Sequence, residues 1–344
     1  MDVVELSGGD EAGERAWDRL VDLAPDGTPF HRIAWKRVVE DVFGHTPHYL
    51  AVADGGGIRA VLPLFDVWGL RTGRVLLSVP HATYGGVCGG DRDAGMHLVA
   101  AARRLGERLG ARYVELRQLF EPLPDLPTTR PFVTFVKRLD PDPDATFASL
   151  PAKRRNMIRK GERHGLEARR GWEALDAFYA AYSINLRRLG APPFPPAFFA
   201  AIRDRFGAAA ELLTVWRHER LVGGVVSLVH GERVLPCWAA TLPEARMLAA
   251  SDFMYWELMR AACRSGLRVF DFGQSHAGAG GYDFKRLWGF APEPIAHQYV
   301  LLRDREPPRF EPTRANPLAQ LWKALPLPVT TWLGPRLIRW LPLH

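Results

Sequence analysis

Hydrophobic and polar positions alternate along this chain with two periods, and the switches between them predict its elements. Residues 50–53 and 58–65 read as strands joined at Asp54-Gly-Gly-Gly57, and residues 213–216 and 221–229 as strands joined at Arg217-His-Glu-Arg220. A third apolar run follows each pair, at 74–79 and 234–239. The period then lengthens. Leu98, Ala101, Ala102 and Leu105 share one face of a helix predicted over 95–109, and Trp256, Met259 and Cys263 share one face over 252–265. In both places a glycine ends the helix and a short apolar strand follows. A further helical stretch covers 175–184.

Two of these stretches repeat each other. Residues 109–118 and 265–274 align at an offset of 156, with Gly110/Gly266, Arg112/Arg268 and Gln118/Gln274 identical and Glu115 opposite Asp271. The order strand, strand, strand, helix, strand surrounds each copy, so duplication of one unit is the expectation. It predicts an α/β (α+β) fold of two tandem units with mixed sheets, 1–142 and 143–305, and a C-terminal Pro/Trp-rich helical tail over 306–344.

Composition narrows the picture. A chain of 344 residues that is 47% hydrophobic and 24% charged can bury two cores and is not disordered. Its net charge of +7 is local. Lys153, Arg154, Arg155, Arg159, Lys160, Arg163, Arg169 and Arg170 stand against only Glu162 and Glu167, and the rest of the chain is near neutral. That excludes a general nucleic-acid coat, DNA included, and favours one anion site, with Lys153, Arg155, Arg159 and Lys160 as candidate ligands. A solvated helix face is the plain alternative. The segment reads as a helix start, with Ser149 as cap, Pro151 in the first turn, and Gly161 and Gly165 loosening or ending it. Arginine is abundant and lysine scarce, so an isolated arginine says little and each of the six lysines says more.

Cys88, Cys237 and Cys263 are too widely spaced for a disulfide framework or a CxxC-type zinc site, so buried thiols in a reducing compartment and no metal are expected. The polar, acidic start is unlike a signal peptide, and no apolar run reaches membrane-spanning length. A cytoplasmic protein is the expectation.

The motifs Phe43-Gly-His-Thr-Pro-His-Tyr-Leu50, Ser78-Val-Pro-His-Ala-Thr-Tyr-Gly-Gly86, Asn185-Leu-Arg-Arg-Leu-Gly-Ala-Pro192, Phe270-Asp-Phe-Gly-Gln-Ser275 and Tyr282-Asp-Phe-Lys-Arg-Leu-Trp-Gly289, in this order, resemble the FemAB-like branch of the GNAT acyltransferase superfamily. The tail is similar to that of FemAB-type proteins associated with exosortase/PEP-CTERM and exopolysaccharide systems. The resemblance implies two GNAT-like domains, the second of the BioF2-like acetyltransferase type. It also implies transfer of an acyl or aminoacyl group to an amine of a cell-envelope glycan or peptide precursor, related to peptidoglycan or exopolysaccharide. The donor it implies is a substrate, aminoacyl-tRNA or acyl-CoA, with no bound cofactor, and the acceptor carries a diphosphate. The chain departs from the family pattern at Gln274 and Asp283, where arginine is usual. Two alternatives remain open: a non-catalytic accessory protein that binds RNA or a lipid-linked glycan, and an acyl-CoA-dependent N-acetyltransferase.

Acyl transfer to an amine needs a deprotonated nucleophile, an oriented carbonyl and positive charge or N–H donors at the developing oxyanion. Acyl-CoA users of this superfamily hold the pyrophosphate on a Gln/Arg-x-x-Gly-x-Gly/Ala loop at a helix start. Residues 241–252 contain no glycine, and Cys88-Gly-Gly-Asp-Arg-Asp-Ala-Gly95 has the wrong order and two carboxylates, which argues against a standard CoA site. Lys285, in the Phe-Lys motif after a glycine-rich loop, is the first catalytic candidate, as a cation for phosphate or oxyanion; a surface lysine beside Asp283 is the alternative. Asp271 either accepts a proton and orients the amine or is a structural carboxylate, and His276 is a candidate base in a loop where histidine is often incidental. Gln274, Ser275, His81, Tyr84 and Arg187 complete the candidate substrate-binding set, with His81 and Tyr84 lining a pocket between the domains or packing in a turn. In the tail, Trp322, Trp332 and Trp340 with Lys323, Arg336 and Arg339 suit either a membrane interface, making the protein peripheral at the inner membrane, or docking on its own surface.

Overall fold

The computed structural model describes residues 2–70, 72–119, 122–277, 279–308 and 317–341. Gly278 of the glycine-rich loop and Pro312, Asn316 and Pro342 of the tail lie outside them. The chain begins with β1 (Asp2–Glu5), α1 (Glu11–Leu23), α2 (Ile33–Phe43), β2 (Thr46–Asp54), β3 (Gly57–Gly69), β4 (Gly73–Leu77), β5 (Cys88–Gly89), α3 (Arg92–Leu109) and β6 (Tyr113–Gln118). It continues with β7 (Thr128–Arg138), α4 (Pro143–Ala148), α5 (Ala152–Arg163), β8 (Leu166–Arg170), α6 (Leu175–Leu189), α7 (Pro196–Phe206), β9 (Ala210–Arg217), β10 (Arg220–His230) and β11 (Arg233–Thr241). The last elements are α8 (Ala250–Arg264), β12 (Val269–Asp271), β13 (Ser275–His276), α9 (Gly280–Arg286), β14 (Pro292–Leu301), α10 (Pro317–Ala324) and α11 (Leu327–Leu337).

Two compact units result. Unit 1 comprises Met1–Phe132, Pro294–Phe310 and Arg339–His344, and unit 2 comprises Val133–Glu293 and Glu311–Ile338. Their sheets have the same plan. In unit 1 the order β1-β2-β3-β4-β6-β14 is antiparallel except for the parallel β4/β6 pair. In unit 2 the order β8-β9-β10-β11-β12-β7 is antiparallel except for the parallel β11/β12 pair. The repeated segments 109–118 and 265–274 thus supply the parallel strand of each sheet.

The divisions at 142 and 305 differ from these units because the strand after each parallel strand pairs away from its own copy. β7 follows β6 in the chain but zips against β12, with Phe270 opposite Lys137. β14 follows β12 but zips against β6, with His297 opposite Arg117 and Tyr299 opposite Glu115. Tail residues 317–338 also belong to unit 2.

Each core forms where the predicted helical faces meet the sheets. Leu98, Ala102 and Leu105 of α3 pack with Val114 and Leu116 of β6 and with Leu50, Leu62 and Leu76. Trp256, Met259 and Cys263 of α8 pack with Phe270, Val225 and Ile158. Helix α3 starts earlier than predicted because the Asp91 side chain accepts from Ala94 N. The cap expected at Ser149 is displaced: Ser149 closes α4, its hydroxyl donating to Thr146 O at 2.7 Å, and Pro151 precedes α5. Gly161 does not break α5. A Cβ there would come within 2.8 Å of Phe253 Cβ, so the glycine permits close approach of α5 to α8, and the helix ends at Gly165, whose φ is +68°.

Unit 1 carries a built-in acid sensitivity. His45 lies beneath the surface near the Phe43 and His81 rings, and burial, with the nearby Arg339, holds its imidazole down at about 4. The unfolded chain therefore takes up the proton first as pH falls from 6.5 towards 4, so the cost to stability appears over that window and totals about 3 kcal/mol for this residue. Urea titrations at pH 7 and pH 4 should lose that difference in a His45→Gln variant.

Candidate functional site

The β12 end of unit 2 collects the sequence candidates. Asp271 is fully buried; one carboxylate oxygen accepts from Thr134 Oγ1 at 2.6 Å and from Gly273 N at 2.8 Å, and the other from Arg233 Nη1 at 2.8 Å. The loop that follows is turned around Lys285. Its ammonium donates to the carbonyls of Phe272, Gly273 and Gln274 at 2.6, 3.0 and 3.0 Å, which uses all three of its N–H donors. Burial holds the ammonium down at about 8, against the opposing influence of Asp271 and the Cys237 thiol. Lys285 is thus the clasp of the 272–274 loop, and the surface-lysine alternative does not describe it. Ser275 is buried, His276 is half-buried, and the side-chain oxygen of Gln274 is buried with no partner among the described residues. Lys137 lies over the Phe290 ring at 5.4 Å, where burial lowers its basicity.

The basic segment divides by role. Arg154 is buried and donates to Asp252 Oδ1 at 2.7 Å in the first turn of α8; burial lifts the Asp252 carboxyl and Arg154 opposes that rise. Arg155 spans the end of α4, donating to Ala148 O and Leu150 O at 2.7 and 2.8 Å. Arg169 and Arg170 pair with Glu167 and Glu211. Lys153, Arg159 and Lys160 have no carboxylate partner among the described residues. Arg159 lies over the Phe147 ring and lines a cavity of about 440 Å³ with Arg260, Arg264, Glu162 and Asp144. Arg187 is engaged elsewhere: its Nε donates to Leu325 O of the tail at 2.5 Å.

His81 and Tyr84 belong to unit 1 and are buried, His81 with φ +62° and its ring 4.3 Å from that of Phe43. The glycine loop before α3 is closed by the protein's own carboxylates. Asp26 accepts from Gly89 N at 3.0 and 3.1 Å, and Asp91 caps the helix. In unit 2, α8 opens on Ala249 in the left-handed region, with Asp252, paired to Arg154 of α5, in the first turn.

Sequence reasoning missed a buried polar group on the other face of β6. Glu115, Arg117 and His297 are each about 3% exposed or less; Arg117 Nε and His297 Nδ1 share Glu115 Oε1 at 2.9 and 3.1 Å. Burial pushes the Glu115 carboxyl up, but Arg117 and His297 outweigh it and hold it at about 2. The available signal was the repeat itself, which sets Glu115 opposite Asp271.

Comparison with known proteins follows the same lines. Residues 152–286 match the acetyltransferase (GNAT) domain family. The crystal structure of FemX superimposes with a TM-score of 0.69 at 14% identity, covering 88% of this chain and 98% of FemX. A tandem GNAT protein from the clavulanic acid biosynthesis pathway superimposes with a TM-score of 0.54 at 13% identity, covering 87% and 98%. Residues 152–286 are thus similar to a GNAT domain, within a fold like that of tandem GNAT proteins. The C-terminal domain of a putative lysylphosphatidylglycerol synthetase from Agrobacterium fabrum is also similar, with a TM-score of 0.58 at 12% identity over 84% of this chain and 91% of that one. Among curated protein sequences none matches. At these identities the structural likenesses concern the fold, and the GNAT domain itself lies wholly within unit 2.

Proposed function

We propose that this tandem GNAT protein transfers an aminoacyl group from aminoacyl-tRNA to an amino group of an anionic cell-envelope precursor, of peptidoglycan or exopolysaccharide type. The observation that carries the reading is the GNAT match over 152–286, which makes an activated acyl group the cargo. The two helix starts argue for the donor. A CoA pyrophosphate needs open backbone N–H groups there, yet in unit 1 Asp26 occupies the Gly89 amide, and in unit 2 a carboxylate sits in the first turn of a glycine-free entry. FemX and the synthetase domain, whose fold this chain shares, suggest the envelope setting.

In this reading Asp271 and Lys285 set the 272–276 loop, so that Gln274, Ser275 and His276 hold the donor's acyl group. Lys153, Arg155, Arg159 and Lys160 attract an anionic substrate to unit 2, where Arg187 is a further candidate contact, and His81 and Tyr84 are candidate contacts within unit 1. The test is product formation: radiolabel from a charged tRNA should pass to a primary-amine acceptor. Absence of transfer from both aminoacyl-tRNA and acyl-CoA would refute the reading.

A peripheral membrane contact belongs to the same proposal. The inner face of α10 and α11 packs within unit 2, burying Trp322 and Thr330, and Gly334 lies close to Pro193. The outer face leaves Leu318, Leu321 and Trp332 61, 61 and 62% exposed, and residues 312–344 include no acidic side chain. Among the described residues no helix is long and apolar enough to cross a membrane, so contact would lie in the interface. The protein should cosediment with vesicles rich in phosphatidylglycerol and less so after Trp332→Glu; equal sedimentation of both proteins would remove the tail from the account.

A further inference from the structure

The polar face of β6 and β14 borders a cavity of about 510 Å³, a size suited to a small-molecule ligand. Glu115, Arg117, Arg130, His297, Tyr299 and Glu306 line it. Alternation along β6 puts Val114 and Leu116 into the α3 core and leaves Glu115 and Arg117 on the opposite face, where the register brings His297 and Tyr299 beside them. The wall is a built one: Arg117 Nε donates to Glu115 Oε1 at 2.9 Å and its Nη1 to Ala82 O at 2.5 Å.

His297 is the feature without a use in the fold. Its ring is 3% exposed, and Nδ1 lies 3.1 Å from Glu115 Oε1. A carboxylate only accepts, so Nδ1 carries a proton, and in the neutral imidazole Nε2 presents a lone pair. Nε2 is buried and has no partner among the described residues. A buried acceptor left unmet is costly, whereas a ligand N–H would satisfy it. The remaining lining adds an exposed cation, Arg130, and a second carboxylate, Glu306. Together these groups suit an amino-acid-like ligand with a side-chain primary ammonium and an acidic group.

We propose that this cavity binds the amine to be acylated and that His297 Nε2 takes its proton, with Glu115 as the residue that positions the ring. The proposal rests on the transferase reading above. The ammonium loses one proton to Nε2, and the freed nitrogen lone pair forms the N–C bond to the donor's ester carbonyl. The C–O bond then breaks; the departing ribose oxygen takes the second proton from nitrogen, and His297 returns its proton to solvent.

The test uses the full chain labelled with ¹⁵N-histidine, with L-lysine as probe and norleucine, which lacks the ε-amine, as control. Long-range ¹H–¹⁵N spectra should give His297, identified by its loss in His297→Gln, as the Nδ1–H tautomer, and lysine but not norleucine should move its Nε2 resonance. Glu115→Gln should mix the tautomers. His297→Gln should lower transfer by roughly 10²- to 10⁴-fold, with KM for the donor unchanged. No movement with lysine, or the same movement with norleucine, overturns the site even if the wild-type protein transfers. Movement without transfer from any donor upholds the amine site and instead sinks the transferase reading.

Discussion

Replacing Lys285 by methionine is expected to reduce the proposed transfer by roughly 10²-fold, the cost of a loop misplaced by about 1 Å at the reacting groups. Methionine keeps the length of the side chain and removes the ammonium that holds the Phe272, Gly273 and Gln274 carbonyls. The loop would then lose its clasp while the buried Asp271 still anchors its start through Gly273 N. The effect has a pH signature. Lys285 is held at about 8, below its ordinary 10.5, so between those values the unfolded chain binds the proton and the folded one does not. Stability from this residue therefore rises with pH over that window. The neutral amine has two N–H donors for three carbonyls, so wild-type activity should decline above about pH 8 as this contribution to stability grows. Rate and urea midpoint, followed from pH 7 to 10 in wild type and Lys285→Met, separate the two trends; parallel profiles in the two proteins would leave Lys285 without this role.

Arg117→Met is expected to destabilise unit 1 by about 3–5 kcal/mol, because it strands the Glu115 carboxylate in the interior with His297 alone. Both side chains are 3% exposed, so water cannot substitute. In the wild-type protein the pair contributes above the unfolded carboxyl value near 4.5 and is lost as pH falls towards 2. Without Arg117 the carboxyl titrates higher, and acid unfolding should begin at higher pH. Removing both partners, as Glu115→Leu with Arg117→Met, should recover much of the loss, since two well-packed apolar groups leave no buried charge. Denaturant midpoints of the three variants measure it. An additive double mutant would mean that the pair is not coupled.

The duplicated plan was legible because apolar period and glycine position act locally: α3, α8 and the strands around them follow from which residues must leave water. What sequence alone left open depends on long-range pairing. Nothing local distinguishes β14 pairing with β6 from β14 pairing with β12, so the division at 305 cut through unit 1. The same limit hid His297, which reaches Glu115 across a separation of 182 positions. Scarcity drew attention to Lys285, but its role as a loop clasp depends on three carbonyls that have no sequence signature. The basic segment misled in part for a related reason: a charge sum does not reveal that Arg154 is spent on Asp252 and Arg170 on Glu211.

The central claim, an aminoacyl transfer by a GNAT fold whose helix starts are closed to CoA, is tested most directly by competition in one tube. The protein is incubated with a lysine-bearing cell-envelope peptide precursor, ¹³C-labelled aminoacyl-tRNA and unlabelled acetyl-CoA, and the intact mass of the acceptor is read. The expected increment equals the ¹³C-aminoacyl group, with none for acetyl. An acetyl increment, or an unchanged acceptor, would contradict it.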